Sequence, residues 1–303
     1  MYPWLDATFK QLSHRIAANK LHHALLLQGP NGMGKSEFVS QFAQLLLCQN
    51  RLIDKSCGQC QSCLLNAAAT HPDLHVVESD KQIGVEQIRE AIKQLTSSAH
   101  LSGAKVLIIH HAHTMTESSA NALLKTLEEP TQKTYLLLTT DKPERILATI
   151  KSRCEKLALP LPSLEATLEW VKTQYSENID INFAKLFSAR PLALLAELQE
   201  QQSFTYETFT VGLDALLQGN SSASQLAQSW QEHSDKVLKW LQYWCKEQSE
   251  IKFSQSLWEL NQAAITVIQQ LRNPGVNKTL VLTTLLDKIS VINNIIPRVI
   301  LFE

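Results

Sequence analysis

Short apolar runs alternate with amphipathic stretches along the first half of the chain, and this alternation predicts a fold class. Each run has the length and apolar content of a buried strand, and the four runs are Ala24–Gln28, Asp73–Val77, Lys105–Ile109 and Thr134–Thr139. Helices are predicted over the stretches that follow them, which are Lys35–Leu47, Val85–Leu95, Glu117–Leu127 and Pro143–Ile150. Because strands that alternate with helices form parallel sheets covered on both faces, we predict an α/β domain with a parallel sheet and flanking helices.

The pattern changes after Pro160–Pro162, where only helical periodicity follows. No proline occurs between Pro191 and Pro274, as expected for a long helical region. We therefore divide the chain into an α/β domain at 1–160, a small helical domain at 161–205 and an all-α domain at 206–303.

The segment between the first strand and the next helix has the pattern G-x-x-x-x-G-K-[ST] of a phosphate-binding loop. Glycines let backbone N–H groups turn toward phosphate oxygens, and the N-terminus of the following helix adds partial positive charge. The lysine is expected to pair with the β- and γ-phosphates, and the serine to hold Mg²⁺. The residues assigned to binding of ATP or ADP are Gly29, Gly32, Gly34, Lys35 and Ser36.

The strand predicted at Lys105–Ile109 runs into His110-His111-Ala112-His113 and ends without an Asp or Glu. Phosphate-loop enzymes that hydrolyse nucleotides need an acidic residue at the end of a neighbouring strand to hold Mg²⁺. Mg²⁺ prefers oxygen ligands, whereas imidazole suits zinc, copper or nickel. We therefore expect poor hydrolysis or none. Two interpretations of the histidines stay open: ordinary loop residues, or a metal site that uses His110, His111 and His113 with His71 or His75.

Four of the six cysteines have the spacing C-x8-C-x2-C-x2-C, and they are Cys48, Cys57, Cys60 and Cys63. Four thiolates around a short loop match a closed, structural tetrahedral Zn²⁺ site, which can supply about 10 kcal/mol or more to a loop that lacks its own core. An iron–sulfur cluster is the alternative, although the Cys-Pro partner usual in ferredoxins is absent. Cys154 and Cys245 stand alone and are expected to be ordinary packed residues.

Composition narrows the function further. The chain has 303 residues, of which 44% are hydrophobic and 19% charged, and its formal net charge is −1. This excludes wholesale disorder. Proteins that hold nucleic acid by themselves usually carry a basic excess, so any contact with DNA is expected to be shared with partners. No apolar run approaches the roughly 18 residues of a membrane span, and the first residues lack the pattern of a secretory signal. We expect a cytoplasmic protein with no membrane contact.

Several motifs resemble those of bacterial clamp-loader subunits of the AAA+ class, and the cysteine insertion after the phosphate-loop helix is similar to theirs. The runs Tyr2–Leu5 and His22–Leu26 are similar to the delta prime family of these subunits, which belong to DNA polymerase III. The motifs are Tyr2–Leu5, His22–Leu26, His71–Asp73, Asn121–Pro130, Thr139–Thr140 and Ser152–Cys154.

The resemblance implies an AAA+ domain followed by a lid at 161–205 and a helical collar at 206–303 that serves oligomerisation. It implies a stator in the complex that loads the beta sliding clamp on primed DNA during replication, driven by ATP. The implied partners are the tau/gamma and delta subunits, with the clamp and DNA reached through the complex. No independent catalysis is expected of the chain within the DNA-directed DNA polymerase III holoenzyme.

The resemblance also implies that Arg153 is an arginine finger, supplied in trans to the ATP site of a neighbouring tau/gamma subunit, and that Ser152 positions it. Two alternatives stay open. One is an active ATPase motor of the tau/gamma kind. The other is a nucleic-acid-binding module built on the cysteine cluster, which is poor in the required residues: between Cys48 and Cys63 it has no aromatic residue, and its basic residues are Arg51 and Lys55.

Overall fold

The computed structural model describes residues 1–79, 81–96, 98–101, 103–176, 179, 181–200, 204–251, 254–271, 273 and 275–292. They form two compact units. The first comprises the described residues of 1–179 and 187–199, and therefore includes part of the predicted lid. The second comprises the described residues of 180–186 and 200–303.

A parallel sheet lies at the centre of the first unit, as predicted. Within the described residues it has five strands in the order β2-β3-β4-β1-β5. The strands are β1 (Ala24–Gln28), β2 (Leu74–Val77), β3 (Lys105–Ile109), β4 (Thr134–Thr140) and β5 (Glu155–Ala158). Four match the predicted runs to within one residue. The fifth escaped prediction because this short edge strand carries Glu155 and Lys156 and has no apolar run.

Helices cover both faces of this sheet. The helices of the first unit are α1 (Pro3–Ala17), α2 (Lys35–Leu47), α3 (Gln61–Ala67), α4 (Val85–Thr96), α5 (Glu117–Glu128), α6 (Ala148–Lys151), α7 (Leu164–Lys172) and α9 (Pro191–Gln199). Leu25 and Leu27 of β1 join a core cluster with α1 and α2. Leu26, on the opposite face, joins a second cluster with α4 and α5. The alternation of side chains along a strand thus supplies both cores from one apolar run.

The helix predicted over Pro143–Ile150 is wrong. Pro143–Arg145 forms a single 3-10 turn, and α6 begins only at Ala148. Between them Ile146 and Leu147 have extended backbone dihedral angles, and the Ile146 side chain is buried in the core. The extended backbone at Ile146 and Leu147 therefore separates the 3-10 turn from α6.

The second unit is entirely helical where it is described, as predicted. Its helices are α8 (Ile181–Lys185), α10 (Tyr206–Leu217), α11 (Ala223–Trp230), α12 (Ser234–Ile251), α13 (Gln255–Gln270) and α14 (Lys278–Ile292). Aromatic rings form much of its core, where Trp240 contacts Phe204, Tyr206 and Phe209 at centroid separations of 5.5, 5.5 and 5.6 Å. No helix in the described part of the chain is both long and apolar enough to cross a membrane.

Candidate functional site

The phosphate loop joins β1 to α2 and requires glycine at two positions. Gly32 and Gly34 have φ angles of +82° and +99°, which L-residues with a Cβ rarely adopt. A Cβ at Gly34 would lie 2.4 Å from the Tyr2 ring, and one at Gly32 would lie 2.8 Å from the Ala193 Cβ. Both conformation and close packing therefore exclude larger residues there.

Hydrogen bonds from three parts of the first unit hold this loop in place. The Trp4 indole N–H donates to the Met33 carbonyl at 2.9 Å. The Leu192 backbone N–H, at the start of α9, donates to the Gly32 carbonyl at 2.9 Å. The Gly29 N–H donates to the Thr140 carbonyl at the end of β4 at 3.2 Å. These three hydrogen bonds connect the loop to α1, to α9 and to the end of β4.

Lys35 interacts with the loop itself. Its ammonium donates to the carbonyls of Gly29 at 2.7 Å and Pro30 at 2.8 Å, and the residue is only 6% exposed. Burial lowers the pKa of Lys35 to about 8, and the charge of Asp141 opposes this shift. Ser36, in contrast, is exposed on the first turn of α2. A bound phosphate would have to compete with backbone carbonyls for the lysine.

The end of β3 carries histidines, as the sequence shows, and a carboxylate reaches them from the next strand. Asp141 directly follows β4, and its Oδ1 lies 3.3 Å from the Nδ1 of His113 and 3.9 Å from that of His111. Sequence analysis missed Asp141 because it considered acidic residues only at the end of β3. The sequence could have revealed Asp141, because it is an acidic residue directly after the predicted strand that became β4.

The structure does not support the alternative in which these histidines join His71 or His75 in one metal site. His71 precedes β2, at the opposite end of the sheet from the residues that follow β3, and His75 pairs with Leu107 within the sheet. Among the described residues, the metal-competent group at this edge is instead His111, His113 and Asp141. Strand direction explains the difference, since parallel strands place all their carboxyl ends at one edge.

The four cysteines of the predicted zinc site converge. Their four Sγ atoms all lie within 4.8 Å of one another. The distance is 3.9 Å between the Sγ atoms of Cys48 and Cys60, and also 3.9 Å between those of Cys57 and Cys63. Zn–S bonds of about 2.3 Å in a tetrahedron place sulfurs about 3.8 Å apart. The cluster is therefore consistent with a structural zinc site.

Backbone N–H groups donate to some of these sulfurs, while burial raises the pKa of the Cys48 and Cys63 thiols. The Cys57 N–H donates to the Cys48 Sγ and the Cys60 N–H to the Cys57 Sγ, each at 3.3 Å. Burial raises the pKa of the Cys60 thiol, but hydrogen bonds from the Cys63 and Gln49 backbone and from the Cys63 and Cys57 side chains together lower it to about 6. Such donors favour the thiolate, which is the form that binds metal.

His71 anchors the cysteine cluster to the sheet. Its Nδ1 accepts from the Asp73 N–H at 3.0 Å, and its Nε2 lies 2.7 Å from the Ser62 hydroxyl. That hydroxyl donates to the carbonyl of Leu47, the last residue of α2, at 2.7 Å. This pattern satisfies both nitrogens of a neutral imidazole, and burial accordingly lowers the pKa of His71.

Arg153 lies on the surface of the first unit just after α6, and several acceptors fix its guanidinium. Nε donates to the Glu128 carboxylate at 2.7 Å, and Nη2 forms an ion pair with the same group. Nη1 donates to the Thr149 carbonyl at 3.0 Å and to the Ser152 hydroxyl at 3.3 Å. The side chain remains 33% exposed, and the adjacent Cys154 is buried in the core. Sequence analysis did not find Glu128 as a partner, because it lies 25 residues away.

Comparisons with known proteins add evidence on family. The family described as "DNA polymerase III, delta subunit" matches residues 4–163. DNA polymerase III subunit delta' of Yersinia pestis is 36% identical over 282 residues, covering 89% of this chain and 82% of its own. The same subunit of Escherichia coli K12 is 37% identical over 245 residues, covering 79% and 73%.

Solved structures are similar as well. One of them is the crystal structure of a DNA polymerase III gamma subunit-related protein from Thermotoga maritima. It is 19% identical, with a TM-score of 0.49, and the match covers 94% of this chain and 99% of that protein.

Proposed function

Because this chain belongs to the family of DNA polymerase III subunits delta′, we propose that it acts as a stator in the clamp loader. In this role it helps the tau/gamma and delta subunits to place the beta sliding clamp on primed DNA, in the cytoplasm. It does not itself use ATP but serves the ATP site of a neighbour. The placement of Arg153 at the surface, where its guanidinium contacts Glu128 and Ser152, is the observation that carries this proposal.

Arg153 is the arginine finger in this proposal, and Ser152 is its positioning residue. An arginine presented to a γ-phosphate stabilises the charge of the transition state and is worth about 10³–10⁵ in rate. The contacts with Thr149 and Ser152 fix where the guanidinium points. The ion pair with Glu128 is partly exposed, so exchanging that carboxylate for a phosphate has little energetic cost.

The chain's own phosphate loop is passive in this proposal. It binds ATP or ADP through Lys35 and Ser36, but β3 supplies no carboxylate for Mg²⁺. An active ATPase of the tau/gamma kind is the alternative. The intact loop favours it, as does Asp141, which is near enough to influence the pKa of Lys35. Sustained Mg²⁺-dependent ATP turnover by the purified chain alone would establish that alternative.

Three further assignments belong to the same proposal. The cysteine cluster holds one structural Zn²⁺, since its sulfurs already have tetrahedral spacing. Residues 161–205 act as the lid of the AAA+ domain. Residues 206–303 form a collar through which the subunits assemble, and co-purification of chains lacking the collar with the other subunits tests this last assignment.

The decisive experiment replaces the proposed finger in the reassembled loader. We expect Arg153→Ala to slow single-turnover hydrolysis at the adjacent tau/gamma site by about 10³–10⁵, because that site loses its transition-state cation. Arg153→Lys should restore little, since an ammonium lacks the planar fork of donors. Arg145→Ala, which removes an exposed arginine eight residues earlier in the chain, is the matched control. Unchanged hydrolysis with Arg153→Ala, in a loader of normal composition, would contradict the proposal.

A further inference from the structure

The carboxyl ends of β3 and β4 bring together a cluster of donor side chains that the proposed function does not use. His111 and His113 follow β3, and Asp141 follows β4. One ligand atom from each lies within 4.8 Å of the other two. The geometry points to a second metal site in this chain, in which His111, His113 and Asp141 bind a divalent transition metal such as Zn²⁺.

The spacing of the donor atoms fits a small tetrahedral ion. Zn²⁺ binds imidazole nitrogen and carboxylate oxygen at about 2.0–2.2 Å, which places two ligands of one tetrahedron about 3.4 Å apart. The Asp141 Oδ1 lies 3.3 Å from the His113 Nδ1 and 3.9 Å from the His111 Nδ1. The His113 Nδ1 also lies 3.2 Å from the Thr140 hydroxyl, a contact that metal binding at this nitrogen would replace.

The two imidazoles are the near neighbours of one Asp141 carboxylate oxygen, but neither donates a hydrogen bond to it. Within the described part of the chain, the Asp141 Oδ1 is buried and accepts no hydrogen bond. The nearby Lys35 ammonium donates instead to the Gly29 and Pro30 carbonyls. A buried carboxylate oxygen without a donor is costly. A metal cation at this point would remove that cost.

The backbone around the cluster fixes the two rings relative to each other. His111 has a φ angle of +49°, rare for a residue with a side chain, and the 3-10 turn Ala112–Thr114 follows it. Its N–H donates to the Thr139 hydroxyl at 3.3 Å. The rings of His111 and His113 lie 5.9 Å apart and nearly perpendicular. This arrangement lets two histidines separated by one residue face the same carboxylate.

The donor set selects the class of metal. Two imidazoles and one carboxylate suit zinc, cobalt or nickel, whereas Mg²⁺ and Ca²⁺ prefer oxygen ligands alone. Three protein ligands leave a fourth position for water or a phosphate oxygen. The His113 side chain is 7% exposed, while that of His111 is 35% exposed and leaves the site open to solvent. The site thus differs in chemistry from the closed four-cysteine cluster.

Cobalt binding tests this site without relying on activity. The full chain is first saturated with zinc at the cysteines and then titrated with Co²⁺. We expect one further equivalent to bind, with weak visible d–d bands and no thiolate-to-cobalt charge-transfer band. Asp141→Asn and His111→Ala should each weaken this binding by roughly tenfold or more, whereas His100→Gln, at an exposed histidine outside the cluster, should not change it.

Two outcomes would overturn the inference. The first is the absence of cobalt binding beyond the cysteine cluster in folded wild-type chain. The second is binding that persists unchanged in both Asp141→Asn and His111→Ala. Circular dichroism verifies that the variants fold. Because His111 is partly exposed, His111→Ala still tests the site if Asp141→Asn destabilises the loop. Neither outcome bears on the role of Arg153, which the turnover experiment tests separately.

Discussion

The phosphate loop and the cysteine cluster lie at opposite ends of the same helix, α2, and both are complete motifs in the sequence. Their structures differ. At the cysteine cluster the four donors converge, and two pairs of sulfurs have the 3.9 Å separation that a tetrahedral ion requires. At the phosphate loop the key cation, Lys35, already donates to carbonyls of its own loop. A complete sequence motif therefore indicates which ligand could bind. The contacts of Lys35 show in addition that a phosphate would have to displace the Gly29 and Pro30 carbonyls from the ammonium.

Metal removal should have the largest effect, and it should be confined to the cysteine side. Because a structural zinc supplies about 10 kcal/mol or more to such a loop, we expect chelation to unfold the segment 48–67 while the sheet stays folded. Hydrogen exchange measured by mass spectrometry would show lost protection there. Cys60→Ser should reproduce the effect, and Cys245→Ser, at a buried cysteine outside the cluster, should not. Full protection after verified metal loss would contradict a structural role.

Mild acid should have the next largest effect, again on the cysteine side. Burial lowers the pKa of His71, so its contribution to stability is fully present above the unfolded value of about 6.5 and is lost as the pH falls through the lowered folded value. Each pKa unit of such a shift is worth about 1.4 kcal/mol. Denaturant unfolding of zinc-saturated chain should show stability falling below pH 6.5. The slope should be shallower in His71→Gln and unchanged in His100→Gln; identical slopes would exclude His71 as the source.

Replacement of the phosphate-loop lysine should have the smallest effect on clamp loading. Lys35→Ala removes the proposed contact with β- and γ-phosphates, so binding of a fluorescent ADP to the isolated chain should weaken. ATP turnover by the reassembled loader should change by less than about twofold, because in this proposal the hydrolysing sites lie on other subunits and depend on Arg153. Loss of turnover comparable to that of Arg153→Ala would show that nucleotide bound to this chain matters, and would favour the motor alternative.

Local patterns in the sequence determined most of the architecture. Four of the described strands and the helices α2, α4 and α5 follow directly from apolar periodicity, and Thr116 caps α5 as a threonine before a helix is expected to do. The phosphate loop and the four cysteines were visible because each depends on residues close together in the chain. Such features are encoded by neighbours, and a single sequence contains them in full.

Tertiary structure decided which distant residues meet. The sheet order places Asp141 beside His113, and the fold brings Glu128 to Arg153 and Arg15 to Glu155. The predicted helix over 143–150 is instead a turn and a short helix, with Ile146 buried between them. None of these has a local pattern, since each depends on strand order or on the volume available in the core. The charged partners of the site residues, such as Asp141 beside His113 and Glu128 beside Arg153, were therefore identified only from the folded chain.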